Sequence, residues 1–202
     1  MKLYFSPGAC SLAPHIVLEE SGLAYDTVLA STKTHQLADG TDYYTINPKG
    51  QVPLLELDSG ERLTEGPAIV QYIADQVPAK QLAPANGTMP RYRVQEWLNF
   101  ITSELHKGFG AMFNPAMPED GKAVMRARVL SRLTWVEAQL EGKQYLMGDA
   151  FSIADPYLFT VAGWGPRTGV DVSGLKNLGA FQARMAARPA VQAAMKAEGL
   201  LK

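Results

Sequence analysis

The stretch Asn47-Pro48-Lys49-Gly50-Gln51-Val52-Pro53-Leu54-Leu55-Glu56-Leu57-Asp58-Ser59-Gly60-Glu61-Arg62-Leu63-Thr64-Glu65-Gly66-Pro67 organises the first half of the chain. Two short strand-like runs, Pro53 to Leu57 and Glu61 to Thr64, flank Asp58-Ser59-Gly60, and that pattern predicts a β-hairpin. Pro53 has no N–H to give to a ladder, so it belongs at a strand start and suits a cis turn. A cis bond there turns the Val52 N–H and C=O outward, where an extended peptide can pair with them. Glu65-Gly66-Pro67 then opens a helix with Ile69, Tyr72, Ile73 and Val77 inward, closed by Pro78.

Towards the N-terminus, Lys2 to Phe5 is apolar and aromatic and is cut off by Ser6-Pro7-Gly8, which reads as a short buried strand. From Cys10 to Glu20, Leu12, Ile16, Val17 and Glu20 fall at helical spacing, and Gly22 supplies the stop. Tyr25 to Ala30 returns to strand, and Thr32 to Asn47 is irregular with one short helix around Asp42 to Thr45. The order is strand, helix, strand, irregular crossover, hairpin, helix.

Towards the C-terminus, Lys80 to Pro90 lacks periodicity and reads as a linker. Beyond it the pattern is helical. Val94, Trp97, Leu98, Ile101 and Leu105 mark one buried face, and Val129, Leu133, Val136 and Leu140 repeat it within Glu119 to Leu140. Ser152-Ile153-Ala154-Asp155 has the pattern of a capping box, and Pro156 is tolerated in the first turn after it. Two further helices fit Leu175 to Ala187 and Pro189 to Glu198. The expected organisation is an α/β domain over 1–79, a linker over 80–90 and an all-helical domain over 91–202.

Composition narrows the function. Of 202 residues, 47% are hydrophobic and 19% charged, an ordinary balance for a folded domain. The net charge of -1 gives no support to nucleic-acid binding. The charge is unevenly placed, at -6 up to Ala79 (4 basic, 10 acidic) and +5 from Lys80 onward (15 basic, 10 acidic), which suggests two units of different character. Cys10 is the single cysteine, which excludes an internal disulfide framework and a Cys-rich zinc site. Position 13 is Ala, so there is no Cys-x-x-Cys. The apolar run at the start is too short for a signal peptide, and no stretch approaches the roughly 20 apolar residues of a membrane helix. A cytoplasmic protein is expected, with no membrane, nucleic-acid or metal partner.

Four groups of residues can carry chemistry. Gly8-Ala9-Cys10-Ser11 places the thiol at a strand-to-helix junction, in the first helical turn, where free N–H groups favour a thiolate; the plainer alternative is a buried cysteine acting as a small hydrophobe. Asn47 to Pro53 is either a backbone ladder for a peptide or a loop with two prolines. At Thr64-Glu65-Gly66-Pro67, Gly66 lets an anion approach the helix N-terminus and Glu65 can receive an ammonium; an ordinary acidic cap is the alternative. Asn99, Ser103 and His106 stand at i, i+4 and i+7, away from the buried stripe, and form solvated surface unless another domain or subunit covers them. His15 and His35 have no obvious partners, and nothing has metal-ligand spacing.

Pro7-Gly8-Ala9-Cys10-Ser11-Leu12, Asn47 to Pro53, Leu63-Thr64-Glu65-Gly66, Glu104-Leu105-His106-Lys107 and the Ser152-x-x-Asp155 cap, in this order, resemble the beta class of bacterial glutathione transferases along essentially the whole chain. The resemblance implies a thioredoxin-like N-terminal domain, an all-α C-terminal domain, a homodimer and glutathione as co-substrate. It implies that Cys10 lies near the glutathione sulfur and that Val52, before cis Pro53, pairs with the cysteinyl backbone. Glu65 and Gly66 would hold the γ-glutamyl end, with Asn99, Ser103 and His106 at or near the site. Many relatives have Tyr where this chain has Phe5, and Tyr4 points to the opposite strand face. Lys is common at position 35, where it meets the glycyl end; here it is His35, with Lys33 nearby.

The expected activity is transfer of the glutathione thiolate to small hydrophobic electrophiles, a detoxification chemistry. Cys10 S–H, the Ser11 hydroxyl and His106 would stabilise the thiolate. The electrophile pocket would draw on Phe109, Phe113 and Trp164 and on the residues near Tyr4 and Pro7. Two rivals keep the fold. One is thiol–disulfide exchange, peroxide reduction or reductive dehalogenation with Cys10 as nucleophile. The other is a non-catalytic adaptor resembling stringent starvation protein A.

Overall fold

The computed structural model describes residues 1–201. The chain forms two compact units: Met1–Ala83 together with the segment from Arg188 onward, and Pro84–Ala187.

The first unit contains β1 (Lys2–Phe5), α1 (Leu12–Ser21), β2 (Asp26–Leu29), a 3₁₀ turn (Tyr43–Thr45), β3 (Leu54–Glu56), β4 (Arg62–Thr64) and α2 (Gly66–Gln76). The sheet order is β2-β1-β3-β4. β1 runs parallel to β2 and antiparallel to β3, and β3 pairs antiparallel with β4 through the expected hairpin. This is the thioredoxin-like arrangement. Alternation along β1 sends Tyr4 against Tyr43 on one face and Phe5 against His15 on the other, with ring centroids 5.8 and 5.9 Å apart. Tyr4, Ala30, Tyr43, Val52 and Leu54 form one core cluster. Gly22 ends α1 at φ 71°, a left-handed position that glycine adopts without a Cβ clash.

The domain boundaries differ from the expectation at both ends. Met89 already opens α3, with Pro90 in its first turn, so the helix begins inside the expected linker. A proline there removes no hydrogen bond, because the first N–H groups of a helix have no internal partner. The last helix, α9 (Pro189–Ala197), packs on α1 and belongs with the first unit. The reason is burial: α1 is buried continuously from Leu12 to Leu18, so the sheet alone cannot cover it, and α9 supplies the other wall. Arg188 Nε donates to Glu20 Oε1 at 2.7 Å at the start of that contact.

The second unit is helical: α3 (Met89–Phe100), a π-turn (Ile101–His106), α4 (Lys107–Phe113), α5 (Glu119–Gln139), α6 (Ala154–Ala162), the short α7 (Gly165–Thr168) and α8 (Lys176–Ala186). Val94, Leu98, Ile101, Leu105 and Phe109 are buried, as are Val129, Leu133 and Val136 of α5. Every residue of α6 is buried, as expected for a helix at the centre of a bundle. Gly108 lets α4 approach α5: a Cβ built there would stand 2.6 Å from Val129 Cγ2. Gly108→Ala is therefore expected to destabilise the chain by about 1–3 kcal/mol through overpacking, read as a lower urea midpoint. An unchanged midpoint would mean that the two helices can part at no cost.

Candidate active site

The turn after β1 is held by two different devices. Ser11 is fully buried, and its hydroxyl donates to Ser6 O (3.2 Å) while accepting from Ser6 N (3.1 Å). That hydroxyl closes the turn. Glu198, just past α9, accepts the Gly8 N–H at 2.9 Å through one oxygen and lies 2.9 Å from His15 Nδ1 through the other. His15, without an obvious partner in the sequence, is thus buried against Glu198, Phe5 and Tyr25. Burial, and next the Glu19 carboxylate that accepts its hydroxyl, raise the pKa of Tyr25.

Cys10 lies in this turn, two residues before α1 begins at Leu12, rather than inside the first helical turn. It is partly exposed, and its thiol donates to Val52 O at 3.2 Å. Only the protonated thiol can make that bond, so Cys10 is presented as an S–H donor.

The loop from Asn47 to Pro53 is a built turn. Asn47 is 3% exposed, and its Nδ2 donates to Gln51 O at 2.6 Å; Tyr43 donates to the same oxygen at 3.0 Å. Burial pushes the Tyr43 phenol up to about 12. The Val52–Pro53 bond is cis. A Cβ on Gly66 would stand 4.0 Å from Pro53 Cγ, so the helix N-terminus of α2 abuts the cis-proline. Glu65, at the N-cap of α2, holds φ 69°, a strained conformation for a residue with a side chain. Its carboxylate accepts Lys49 Nζ at 2.7 Å, and the same ammonium reaches Thr64 Oγ1 at 3.0 Å.

His35 is joined to this group through the loop. Its ring lies 4.6 Å from that of Tyr44, and both pack over Gly50, where a Cβ would collide with Tyr44 Cε1. His35 Nδ1 is buried without a hydrogen-bond partner. The first unit therefore brings together Cys10, Val52, Pro53, Glu65 and Gly66, with His35 at the loop's far side.

Asn99, Ser103 and His106 belong to the second unit and do not form one polar stripe. Asn99 Nδ2 donates to Gln95 O (2.9 Å) and Ser103 Oγ to Asn99 O (3.0 Å), so both exposed side chains fold back on their own helix. The π-turn, in which Lys107 N–H reaches Thr102 O, adds a residue to the turn. That rotates His106 off the expected face and onto α6: its Nδ1 lies 2.7 Å from the Tyr157 hydroxyl, and its ring 5.1 Å from Trp164. Phe109 and Phe113 also contact Trp164 edge-on, at 6.0 and 5.6 Å.

Three residues here escaped the sequence reading: Lys49, Tyr157 and Glu198. Lys49 carries a signal in retrospect, a cation inside the loop that precedes the acidic cap. Tyr157 and Glu198 carry none. Among the described residues, no helix is long and apolar enough to cross a membrane, and no group of three or more His, Cys, Asp or Glu is placed to hold a metal ion.

A thioredoxin-like sheet with a cysteine after its first strand, a cis-proline beside it and a separate helical unit defines a class of two-domain thiol proteins. Family models agree: residues 1–75 match the glutathione S-transferase N-terminal domain and residues 100–189 the C-terminal domain. The chain belongs to the glutathione S-transferase family. It is 48% identical over 200 residues to glutathione S-transferase GstA of Escherichia coli O157:H7, covering 99% of this chain and 100% of that one. A bacterial beta-class glutathione S-transferase of Sphingomonas chungbukensis superposes with a TM-score of 0.96 at 49% identity, covering 100% of both chains. A sphingomonad glutathione S-transferase complexed with glutathione gives 0.95 at 48% identity, again covering 100% of both.

Proposed function

We propose that this protein binds glutathione in the first unit and transfers its thiolate to small hydrophobic electrophiles, acting as a cytoplasmic homodimer in detoxification. The observation that carries the reading is the convergence of Cys10, Val52, Glu65 and Gly66 around the cis-proline loop. Glutathione is an anionic γ-Glu-Cys-Gly peptide. Glu65 already accepts an ammonium from Lys49, so its carboxylate is oriented for the ligand's α-amino group. Gly66 opens the α2 N-terminus to the neighbouring carboxylate. Val52 offers main-chain groups to the cysteinyl residue, and His35 with Lys33 would meet the glycyl end. Asn99, Ser103 and His106 of the second unit stay part of the proposal, the first two on the exposed face of their helix and His106 held against Tyr157 and Trp164.

The chemistry follows. Cys10 S–H, now on Val52 O, can turn to the glutathione sulfur and stabilise its thiolate as a hydrogen-bond donor. Lowering the bound thiol's pKa from about 9 towards neutrality multiplies the reactive fraction at pH 7. Calorimetric titration with reduced glutathione at neutral pH tests the site. Saturable binding at or below about millimolar is expected; no heat at that concentration would overturn the reading.

The rival with Cys10 as nucleophile uses the same site and differs only in which sulfur reacts. Cys10→Ala separates them: disulfide exchange is expected to fall by about 100-fold and conjugation by less than about tenfold. Equal losses in both assays would sink this division of roles.

A further inference from the structure

Glu65 stands at the N-cap of α2, where an acid ordinarily accepts from the second or third N–H of its own helix. Here neither is available. The second helical residue is Pro67, which has no N–H, and Ala68 N–H is taken at 3.0 Å by the main-chain oxygen of Glu65. The carboxylate accordingly makes no capping bond, and the reading of Glu65 as an ordinary acidic cap falls away. The residue also holds φ 69°, a strained conformation that persists only where the surrounding structure demands it. What the carboxylate meets is an ammonium: Lys49 Nζ lies 2.7 Å from Glu65 Oε1 and 3.0 Å from Thr64 Oγ1. The main chain at Lys49 is anchored, since its N–H donates to Asn47 Oδ1 at 3.2 Å and Asn47 is itself held on Gln51 O. The two side chains of the pair face solvent, Lys49 at 53% and Glu65 at 65%. An ion pair so exposed contributes little to stability and is easily exchanged.

We propose that Lys49 is a specificity-determining residue that exchanges partners when glutathione binds. In the free protein it stands on Glu65 in place of the ligand's α-ammonium. In the complex it pairs with the α-carboxylate that the γ-glutamyl carbon carries beside that ammonium. This inference rests on the proposed function. Charge balances at each stage. Lys49 and Glu65 form a neutral pair, the γ-glutamyl end is a neutral zwitterion, and the exchange leaves four charges in alternation, each ammonium against a carboxylate. An amine that lacks the carboxylate breaks the Lys49–Glu65 pair without offering Lys49 another anion, and it sets two ammonium groups against one acid. Lys49 thereby disfavours simple amines and favours an amino-acid end, specificity being a difference between two affinities. The unbranched stem of lysine, with three donors at its tip, lets the ammonium follow the ligand's carboxylate while the main chain stays in place.

Calorimetry with two ligands tests the exchange: glutathione, and γ-aminobutyryl-Cys-Gly, which keeps the terminal amine and lacks the α-carboxylate. The native protein should prefer glutathione. In Lys49→Met that preference, the ratio of the two dissociation constants, should fall about fivefold, the upper end for an exposed ion pair. Lys49→Arg keeps the charge and should hold the native ratio to within about twofold. Lys49 is exposed, so neither substitution should disturb folding. An unchanged ratio in Lys49→Met would overturn the proposal in whichever direction the two affinities moved together. Both tighter would make Lys49 only a blocker of Glu65, and both weaker would make it only a support for that carboxylate. The two levels separate on the native protein. Glutathione binding with a ratio indifferent to Lys49 overturns the exchange alone, whereas a native protein that binds neither ligand overturns the proposed function and this role of Lys49 with it.

Discussion

Asp155→Ala is expected to lose about 3–5 kcal/mol of stability, the largest effect of any single substitution considered. Asp155 is 0% exposed, and its two oxygens accept from Leu146 N (2.8 Å), Ser152 N (2.7 Å) and Ser152 Oγ (3.1 Å). Alanine removes the acceptor and leaves two main-chain N–H groups buried without a partner, at about 1–3 kcal/mol each, with the lost cap of α6 in addition. Native domains have only about 5–15 kcal/mol in hand, and the fall in melting temperature should be about 6–20 °C for a chain of this size. Because α6 is buried along its whole length, the damage falls on the centre of the helical unit and not on a frayed end. Asp155→Asn keeps one carbonyl oxygen and should fall between the two. Thermal melts followed by circular dichroism test this. A shift of less than about 2 °C would mean that water reaches the cap.

Glu198→Ala comes next, and it should affect both stability and ligand binding. The Glu198 side chain is fully buried, against a His15 side chain that is 1% exposed. Its removal strands His15 Nδ1 and the Gly8 N–H, for an expected loss of about 2–4 kcal/mol. Gly8 begins the turn that carries Cys10, so the same substitution should weaken glutathione binding by about tenfold even where the protein remains folded. Urea unfolding and calorimetry on the same preparation check the two effects. Lost stability with unchanged affinity would show that Ser11, through its two bonds to Ser6, holds the turn by itself. Glu198→Gln retains an acceptor and should recover most of the affinity.

These effects mark where local sequence stops being informative. The hairpin around Asp58-Ser59-Gly60, the cis-compatible Val52-Pro53 pair, the α2 start at Glu65-Gly66 and the Ser152-x-x-Asp155 cap were all legible. Each depends on backbone chemistry acting over a few residues: a missing N–H, a permissive φ, a carboxylate near unpaired donors. The opposite orientations of Tyr4 and Phe5 followed from the two-residue period of a strand. Cys10 was legible as the thiol of a strand-to-helix turn, although it stands two residues before α1 and not inside its first turn.

Only the tertiary structure decided the rest. Glu198 reaches Gly8 across 190 residues, and His15 across 183; nothing in the C-terminal helix by itself distinguishes that acid from a solvated one. The assignment of α9 to the first unit depends on α1 needing a second wall, a property of packed volumes and not of periodicity. The π-turn between α3 and α4 leaves an ordinary helical pattern in the sequence, yet it rotates His106 from an exposed stripe onto Tyr157. Ser11 beside Cys10 reads as a second polar group at the sulfur until the folded turn directs its hydroxyl to Ser6. The sequence by itself determined the main elements and their order, because those follow from short-range geometry. Which polar groups face each other, and hence which of them are free to act on a ligand, was decided by long-range packing, where the cost of a buried unpaired donor selects one arrangement.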